Sequence, residues 1–327
     1  MATVADRGRS MRAAVIDEQG LRVVRDHPIP EPPPGEVRIR TLLAGICNTD
    51  VEILRGYADF QGVPGHEFVG VVDEAGDPAL LGRRVVGEIN AGCGTCESCR
   101  AGRASHCPNR TALGIRDRDG ALADYFCLPH ANLHPVPDSI SDEAAVFVEP
   151  LAAACRILEQ VHVGPAQRVV VLGDGKLGLL VAQVLFLTGS RLTVVGRHPE
   201  KLSILACQGI ETRIEGQEQE GNADLVVECT GQPGGLAAAR QLLRPEGTLV
   251  LKSTYHGPVE VDFSQMVVDE IGVVGSRCGP FAPALRMLAQ GLVDVSSLVE
   301  AEYPLDQARA AFEHAGRKGA LKILVRP

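Results

Sequence analysis

The chain has 327 residues, more than a single hydrophobic core ordinarily serves, so two domains are expected. Hydrophobic residues make up 45% and charged residues 22%, as in ordinary globular proteins, and the net charge of −9 argues against nucleic acid or an anionic membrane surface as partner. Trp is absent and aromatics are scarce, so the core must be aliphatic and no stacking platform for bases is expected.

In chain order, Met1 to Ser10 is polar and mixed in charge, without the apolar stretch of a secretory signal. It reads as an extension ahead of the strand-like MRAAVI that begins at Met11. PIPEPPPGE at Pro28–Glu36 can be neither helix nor central strand and reads as an extended connector. EVRIRT at Glu36–Thr41 alternates with period two, and FVGVVDEAG at Phe68–Gly76 reads as strand then turn.

From about Leu151 the texture changes. Continuous apolar strands are expected at Arg168–Leu172, Leu192–Val195, Asp224–Glu228, Thr248–Leu251 and Gly272–Val274. Helices are expected at Lys176–Leu187, Glu200–Gln208, Leu236–Leu243 and Ala282–Gly291. Such alternation implies a parallel sheet covered on both faces. The tail, Leu305–His314 then Ala320–Val325, reads as helix then strand that returns to the first domain. The expected fold class is therefore α/β, with a β-rich domain over residues 1–150, completed by 289–327, and a doubly wound parallel sheet over 151–288. The longest apolar run, Leu177–Leu187, is broken by Gln183 and is too short to span a bilayer, so a cytoplasmic protein is expected.

Gly173, Gly175 and Gly178, with Asp174, Lys176 and Leu177 between them, fit G-x-G-x-x-G directly after a strand and at the start of a helix. That context marks a dinucleotide site. The first Gly allows the turn, the second lets backbone approach a pyrophosphate, and the third lets helix pack on strand. A turn that merely needs glycines is the plainer alternative. At the end of the second strand stand Gly196, Arg197 and His198, where an NAD enzyme usually carries Asp or Glu. A missing carboxylate and an arginine that can pair with a 2′-phosphate favour NADP over NAD. The alternative is a solvated Arg197 and use of either cofactor. Thr230 and Ser276 follow later strands, at the ends where such sheets bind cofactor, although loop Ser and Thr more often form turns.

Four of the ten cysteines crowd together as Cys93-x2-Cys96-x2-Cys99-x7-Cys107. Four thiolates at that spacing suit a closed, structural zinc site in a loop with little else to bury. A free-thiol loop, or a zinc ribbon that binds nucleic acid, are the alternatives. A second, sparser set is Cys47 in GICNTD, His66 and Glu67 in PGHEFVG, and Glu149 in VEPLA. Thiolate, imidazole and carboxylate with one position left open suit catalytic zinc, whereas each residue alone would be an ordinary core or hydrogen-bonded side chain.

These motifs together, in order over nearly the whole chain, resemble the zinc-containing medium-chain dehydrogenase/reductase superfamily. The resemblance rests on PPPGEV, GICNTD, GHEFVGVV, the four-Cys lobe, VEPLA, VLGDGKLG, ECTG and LKILV. It implies a GroES-like catalytic domain joined to a Rossmann domain, an active site in the cleft, and one catalytic and one structural Zn2+. It implies catalytic zinc on Cys47 and His66, with Glu67 as a ligand or a close neighbour. Glu149, where relatives that act on simple alcohols carry another Cys, is similar to the polyol, aldose and threonine dehydrogenase branch. Thr49 matches the hydroxyl that hands the substrate proton onward. Glu52 replaces the relay His of many relatives, and glucose-type sugar dehydrogenases carry an acid there and often use NADP. Asn48 replaces a frequent Gly and either bonds a substrate hydroxyl or caps the turn.

The implied reaction moves a hydride between a secondary alcohol, polyol or sugar hydroxyl and NAD(P), in a homodimer or homotetramer. Its rivals are a zinc-free enone or quinone reductase of the same fold, and a non-catalytic NADPH-binding sensor.

Overall fold

The computed structural model describes residues 10–217, 221–254 and 259–327, so the expected N-terminal extension lies, but for Ser10, outside the described residues. The chain divides into two compact units, Met1–Glu149 with Leu298–Pro327, and Pro150–Ser297.

The first unit is built on the strand Glu36–Ile46. Val37, Ile39, Thr41 and Leu43 point inward between the less buried Arg38, Arg40 and Leu42, which is the alternation of a strand with one covered face. From Leu43 to Ile46 every residue is buried, because other chain covers both faces there. This strand pairs antiparallel with Glu67–Ala75 along most of its length. Its first half also pairs with Tyr125–Pro129, and its last residues with Ile323–Val325 of the C-terminal strand Lys322–Arg326. Arg84–Gly87, Leu133–Pro135 and Val299–Pro304 extend the sheet. Phe68 and Phe126 meet edge to face inside it, with ring centroids 4.7 Å apart. A separate hairpin joins Ser10–Asp17 to Gly20–Pro28, so the proline-rich connector starts only after a strand the sequence pattern did not reveal.

In the second unit the described residues form six parallel strands. Their spatial order is Glu211–Ile214, Arg191–Gly196, Arg168–Leu172, Ala223–Glu228, Leu243–Leu251, Gly272–Gly275. This is the doubly wound arrangement, third-second-first-fourth-fifth-sixth, whose direction reverses between Arg168–Leu172 and Ala223–Glu228. Val169, Val171, Val194, Val226, Val227 and Leu249 are all buried, as strands covered on both faces require. The helices Lys176–Phe186, Pro199–Ala206 and Gly235–Leu242 connect them. The edge strand Glu211–Ile214 is half exposed and carries Glu211 and Arg213, which hid it from an apolar-run reading. Among the described residues no helix is long and apolar enough to cross a membrane.

Candidate metal centres and dinucleotide site

The end of the Glu36–Ile46 strand delivers Cys47 to the N-terminus of a short helix, Asn48–Leu54. The strand paired with it begins at Glu67, and Gly45 lies directly opposite Glu67. Pairing therefore brings Cys47, His66 and Glu67 together, with one ligand atom of each within 4.8 Å of the others. Asp50, wholly buried and not singled out from the sequence, organises them. Its carboxylate accepts Cys47 N–H at 2.8 Å and Gly65 N–H at 3.1 Å, and Oδ1 lies 3.3 Å from His66 Nδ1. Burial alone would favour a neutral imidazole, but the Asp50 charge, helped by Cys47, holds the His66 pKa well above its usual value.

Lys322 is the second residue that sequence reasoning missed. It comes from the C-terminal strand, is 1% exposed, and its ammonium pairs with the equally buried Glu67. Desolvation opposes the charge on Lys322, yet Glu67, Cys47 and Glu149 together raise its pKa. Gly45 makes room for this pair. A Cβ there would lie 2.7 Å from Glu67 Oε2 and 3.1 Å from Lys322 Cδ.

Thr49 Oγ1 sits 3.7 Å from Cys47 Sγ. Glu52, one turn along the same helix, accepts Arg55 at 2.8 Å and is partly exposed. Glu149, in the first turn of the helix Val148–Gln160, lies outside the Cys47–His66–Glu67 cluster.

The four-Cys lobe is a second cluster, with all four sulfurs within 4.8 Å of one another. Cys96 Sγ and Cys107 Sγ are 3.7 Å apart. Two sulfurs each about 2.3 Å from one tetrahedral zinc ion would be about 3.8 Å apart, so the donor set fits that metal. Backbone N–H groups of Cys93 and Cys99 point at Cys107 and Cys96 sulfurs, at 3.4 and 3.5 Å. Hydrogen bonds from the Thr95 hydroxyl and nearby backbone lower the Cys93 thiol to about 6, while burial and the neighbouring sulfurs push Cys99 up to about 11. A Cβ on Gly92 would meet Cys99 Sγ at 2.8 Å, so the glycine leaves space for the cluster.

At the sheet's reversal point the three glycines differ in what surrounds them. Gly173 has φ +118°, a backbone conformation that favours glycine. A Cβ on Gly178 would come 2.1 Å from Gly173 O, so helix and turn touch there. A Cβ on Gly175 would meet nothing within 4 Å, and this residue caps the helix Lys176–Phe186. Its open side, at the N–H groups of a helix start, is suited to an incoming anion.

Asp174 points to the end of the neighbouring strand. Its Oδ2 accepts the N–H groups of Arg197 and His198, both at 2.6 Å, and Oδ1 lies 3.0 Å from His198 Nδ1. Burial would raise its pKa, but His198 and these N–H groups lower it. Gly196 admits it, since a Cβ would stand 2.5 Å from Asp174 Oδ2. The Arg197 guanidinium pairs with Glu215 through Nε and Nη2. Thr230 turns back on Glu228, donating from N–H at 2.7 Å and from its hydroxyl at 2.5 Å. Ser276 is buried and accepts Lys252 Nζ at 3.3 Å. Both side chains are thus engaged within the protein.

Residues 33–138 match the alcohol dehydrogenase GroES-like domain, and residues 142–326 match the glucose dehydrogenase C-terminus. A sorbitol dehydrogenase from Halalkalibacterium halodurans is 30% identical over 97% of this chain and 99% of its own. An alcohol dehydrogenase structure from Escherichia coli, complexed with NADH, superposes with TM-score 0.90 at 26% identity, covering 98% of this chain and 100% of that one. A zinc-binding dehydrogenase structure from Sinorhizobium meliloti, bound to NADP, gives 0.85 at 27% identity, covering 97% and 99%.

The glycine environments make a paired prediction. Gly178→Ala forces a methyl onto the Gly173 carbonyl and should cost about 1–3 kcal/mol, lowering Tm by several degrees. Gly175→Ala should leave Tm unchanged yet weaken NADH or NADPH binding measured by fluorescence titration. Equal Tm losses in the two variants would contradict this division of roles.

Proposed function

This chain belongs to the zinc-containing medium-chain dehydrogenase/reductase superfamily and is an NAD(P)-dependent oxidoreductase acting on alcohol or polyol hydroxyls, and on that premise we propose which residues carry the reaction. Cys47, His66 and Glu67 form the donor set of the catalytic zinc, with the Glu67 charge balanced by Lys322 and Glu149 as a further carboxylate that acts on the same lysine. Cys93, Cys96, Cys99 and Cys107 hold a second, structural zinc. The observation that carries this reading is the convergence of Cys47, His66 and Glu67 around buried Asp50, a donor set that suits a zinc with an open position.

Zinc bound there supplies Lewis acidity that lowers an alcohol's pKa, and bound nicotinamide supplies the hydride acceptor. The chain's own residues manage the proton. Thr49 Oγ1, beside Cys47, takes it from the substrate hydroxyl. Glu52, three residues on and therefore on the same helix face, passes it to solvent. Asp50 holds Cys47 and His66 in place. A carboxylate at Glu149 and another at Glu52 favour a substrate with several hydroxyls, a polyol or sugar. Arg197 is the partner of a 2′-phosphate, so NADP is preferred over NAD. The unit Met1–Glu149 with Leu298–Pro327 acts as the catalytic domain, and Pro150–Ser297 as the dinucleotide-binding domain.

Nicotinamide absorbance during a screen of alcohols, polyols and aldoses, before and after chelation, tests this directly. Turnover of a polyol or sugar that is lost on chelation and restored by zinc is expected, as is loss in Cys47→Ser with Tm retained. Turnover that survives complete zinc removal would replace this mechanism with that of a zinc-free reductase.

Asp50 should matter nearly as much as the ligands. Asp50→Asn keeps the shape but removes the charge facing His66. Supporting groups of this kind are worth about 10–100-fold in metal affinity or activity. A metal-competition titration showing unchanged zinc affinity, with unchanged turnover, would remove Asp50 from the centre.

A homodimer is proposed through the sheet edge. Gly272–Gly275 is an edge strand, and Phe263, Val267 and Val268 beside it in sequence are 71–79% exposed. An apolar edge left open invites strand pairing with a second copy. Light scattering should give twice the 34.7 kDa chain mass, reduced to one chain by Val268→Lys. A dimer indifferent to that change uses another face.

A further inference from the structure

Two carboxylates flank Arg197 in the second unit, and they are held very differently. Asp174 is 7% exposed and fixed by the N–H groups of Arg197 and His198 and by the His198 ring. Glu215 follows the edge strand Glu211–Ile214, which pairs with Arg191–Gly196 in parallel register, Ile214 beside Gly196. Its own N–H donates to Gly196 O at 2.9 Å, so its backbone is tied to the strand end that carries Arg197. Its side chain is held by no other hydrogen bonds than those to Arg197 among the described residues. It takes two nitrogens of the Arg197 guanidinium, and the two side chains are 56% and 39% exposed.

We propose that Glu215 is a specificity-determining residue, which sets how strongly the enzyme favours a 2′-phosphorylated dinucleotide by competing with the 2′-phosphate for the Arg197 fork. The inference rests on reading Arg197 as the partner of that phosphate. A carboxylate and a phosphate offer a guanidinium the same bidentate geometry, so the Nε–Nη2 edge serves one of them at a time. An exposed pair of this kind is weak and exchanges readily. The displaced carboxylate stays beside the strand end, because its backbone bond to Gly196 does not break. Its charge then opposes the incoming dianion at a distance that salt can screen. A dinucleotide with a free 2′-hydroxyl makes no such demand and leaves the Glu215–Arg197 pair intact. Asp174 cannot yield in the same way, since three donors hold it.

The test uses fragments that need neither zinc nor hydride transfer. Adenosine 2′,5′-bisphosphate and 5′-AMP are titrated calorimetrically against the full chain and its Glu215→Gln and Arg197→Ala variants, at low and high salt. In Glu215→Gln the bisphosphate should bind about three- to tenfold tighter, the scale of one exposed charge contact, with 5′-AMP unchanged. That gain should shrink at high salt, which a merely structural role would not produce. In Arg197→Ala the advantage of the bisphosphate over 5′-AMP should vanish. If Arg197→Ala weakens the bisphosphate but Glu215→Gln changes nothing, Arg197 keeps its role and the inference about Glu215 is overturned. If Glu215→Gln weakens the bisphosphate, Glu215 orients Arg197 and does not compete with the ligand, which also overturns it. If Arg197→Ala has no effect, the reading of Arg197 fails and this inference with it.

Discussion

A single buried carboxylate holds the candidate catalytic centre together. Asp50 has no exposed surface, and a charge in that position is tolerable only with converging donors. The donors come from two separate stretches of chain, Cys47 N–H on one side and Gly65 N–H on the other, with the His66 ring 3.3 Å away. The short helix at Asn48 and the loop before Glu67 are thereby fastened to one another. Thiolate and imidazole are positioned as a consequence of satisfying Asp50, before any metal is considered. An amide could occupy the same space but would not supply the charge facing the ring.

The same economy appears on the other side of the centre, where Lys322 meets Glu67. Removing one partner of such a buried pair typically costs about 3–5 kcal/mol, because the remaining charge has nowhere to go. Lys322 belongs to the last strand, and its neighbour Ile323 pairs with Ile46, one residue before Cys47. The return of the C-terminal chain to the first unit is therefore an electrostatic condition on the site, as well as a way to complete a sheet. Gly45 completes the arrangement, since a side chain there would collide with Glu67 and crowd Lys322.

Those dependencies explain what could be read in the sequence and what could not. The parallel sheet was legible because Arg168–Leu172 and its companions are continuous apolar runs, and continuous runs follow from burial on both faces. The Cys93–Cys107 lobe was legible because its donors are close in sequence. The glycine loop was legible because it follows a strand and opens a helix, with Gly173 and Gly178 each answering a local steric need. Asp50 and Lys322 were not, although both are nearly inaccessible. The partner of Lys322 lies 255 residues away, brought in by strand pairing that no local pattern reports. Asp50 does sit one turn from Cys47 in GICNTD, and a carboxylate three residues after a helix-capping cysteine was a usable signal. Thr230 has two readings in sequence, cofactor contact or turn former. Its position at a strand end suggested the cofactor, but its hydroxyl and N–H both close a turn on Glu228.

Gly196 shows why absence of a side chain is a poor measure of charge. The strand end lacks a carboxylate in sequence, which reads together with Arg197 as favouring a 2′-phosphate. In space that vacated volume belongs to Asp174, whose Oδ2 would be 2.5 Å from a Cβ on Gly196. The glycine is there to admit a carboxylate from the next turn, so the negative charge has changed its origin and kept its neighbourhood. Adding Glu215, the cation of Arg197 is matched by two anions, and the local sum of formal charges is negative before His198 is counted. On the proposed reading, a preference for a 2′-phosphate would therefore rest on the direction of the Arg197 fork more than on the charge of these neighbours. What remains is directional: the planar fork of Arg197, presented at the strand end by backbone bonds to Asp174, can select an oxyanion by geometry where the surrounding field would repel it. On the proposed reading, the aim of the Arg197 guanidinium and the hold of Glu215 on it are the two features of this strand end that bear on cofactor choice.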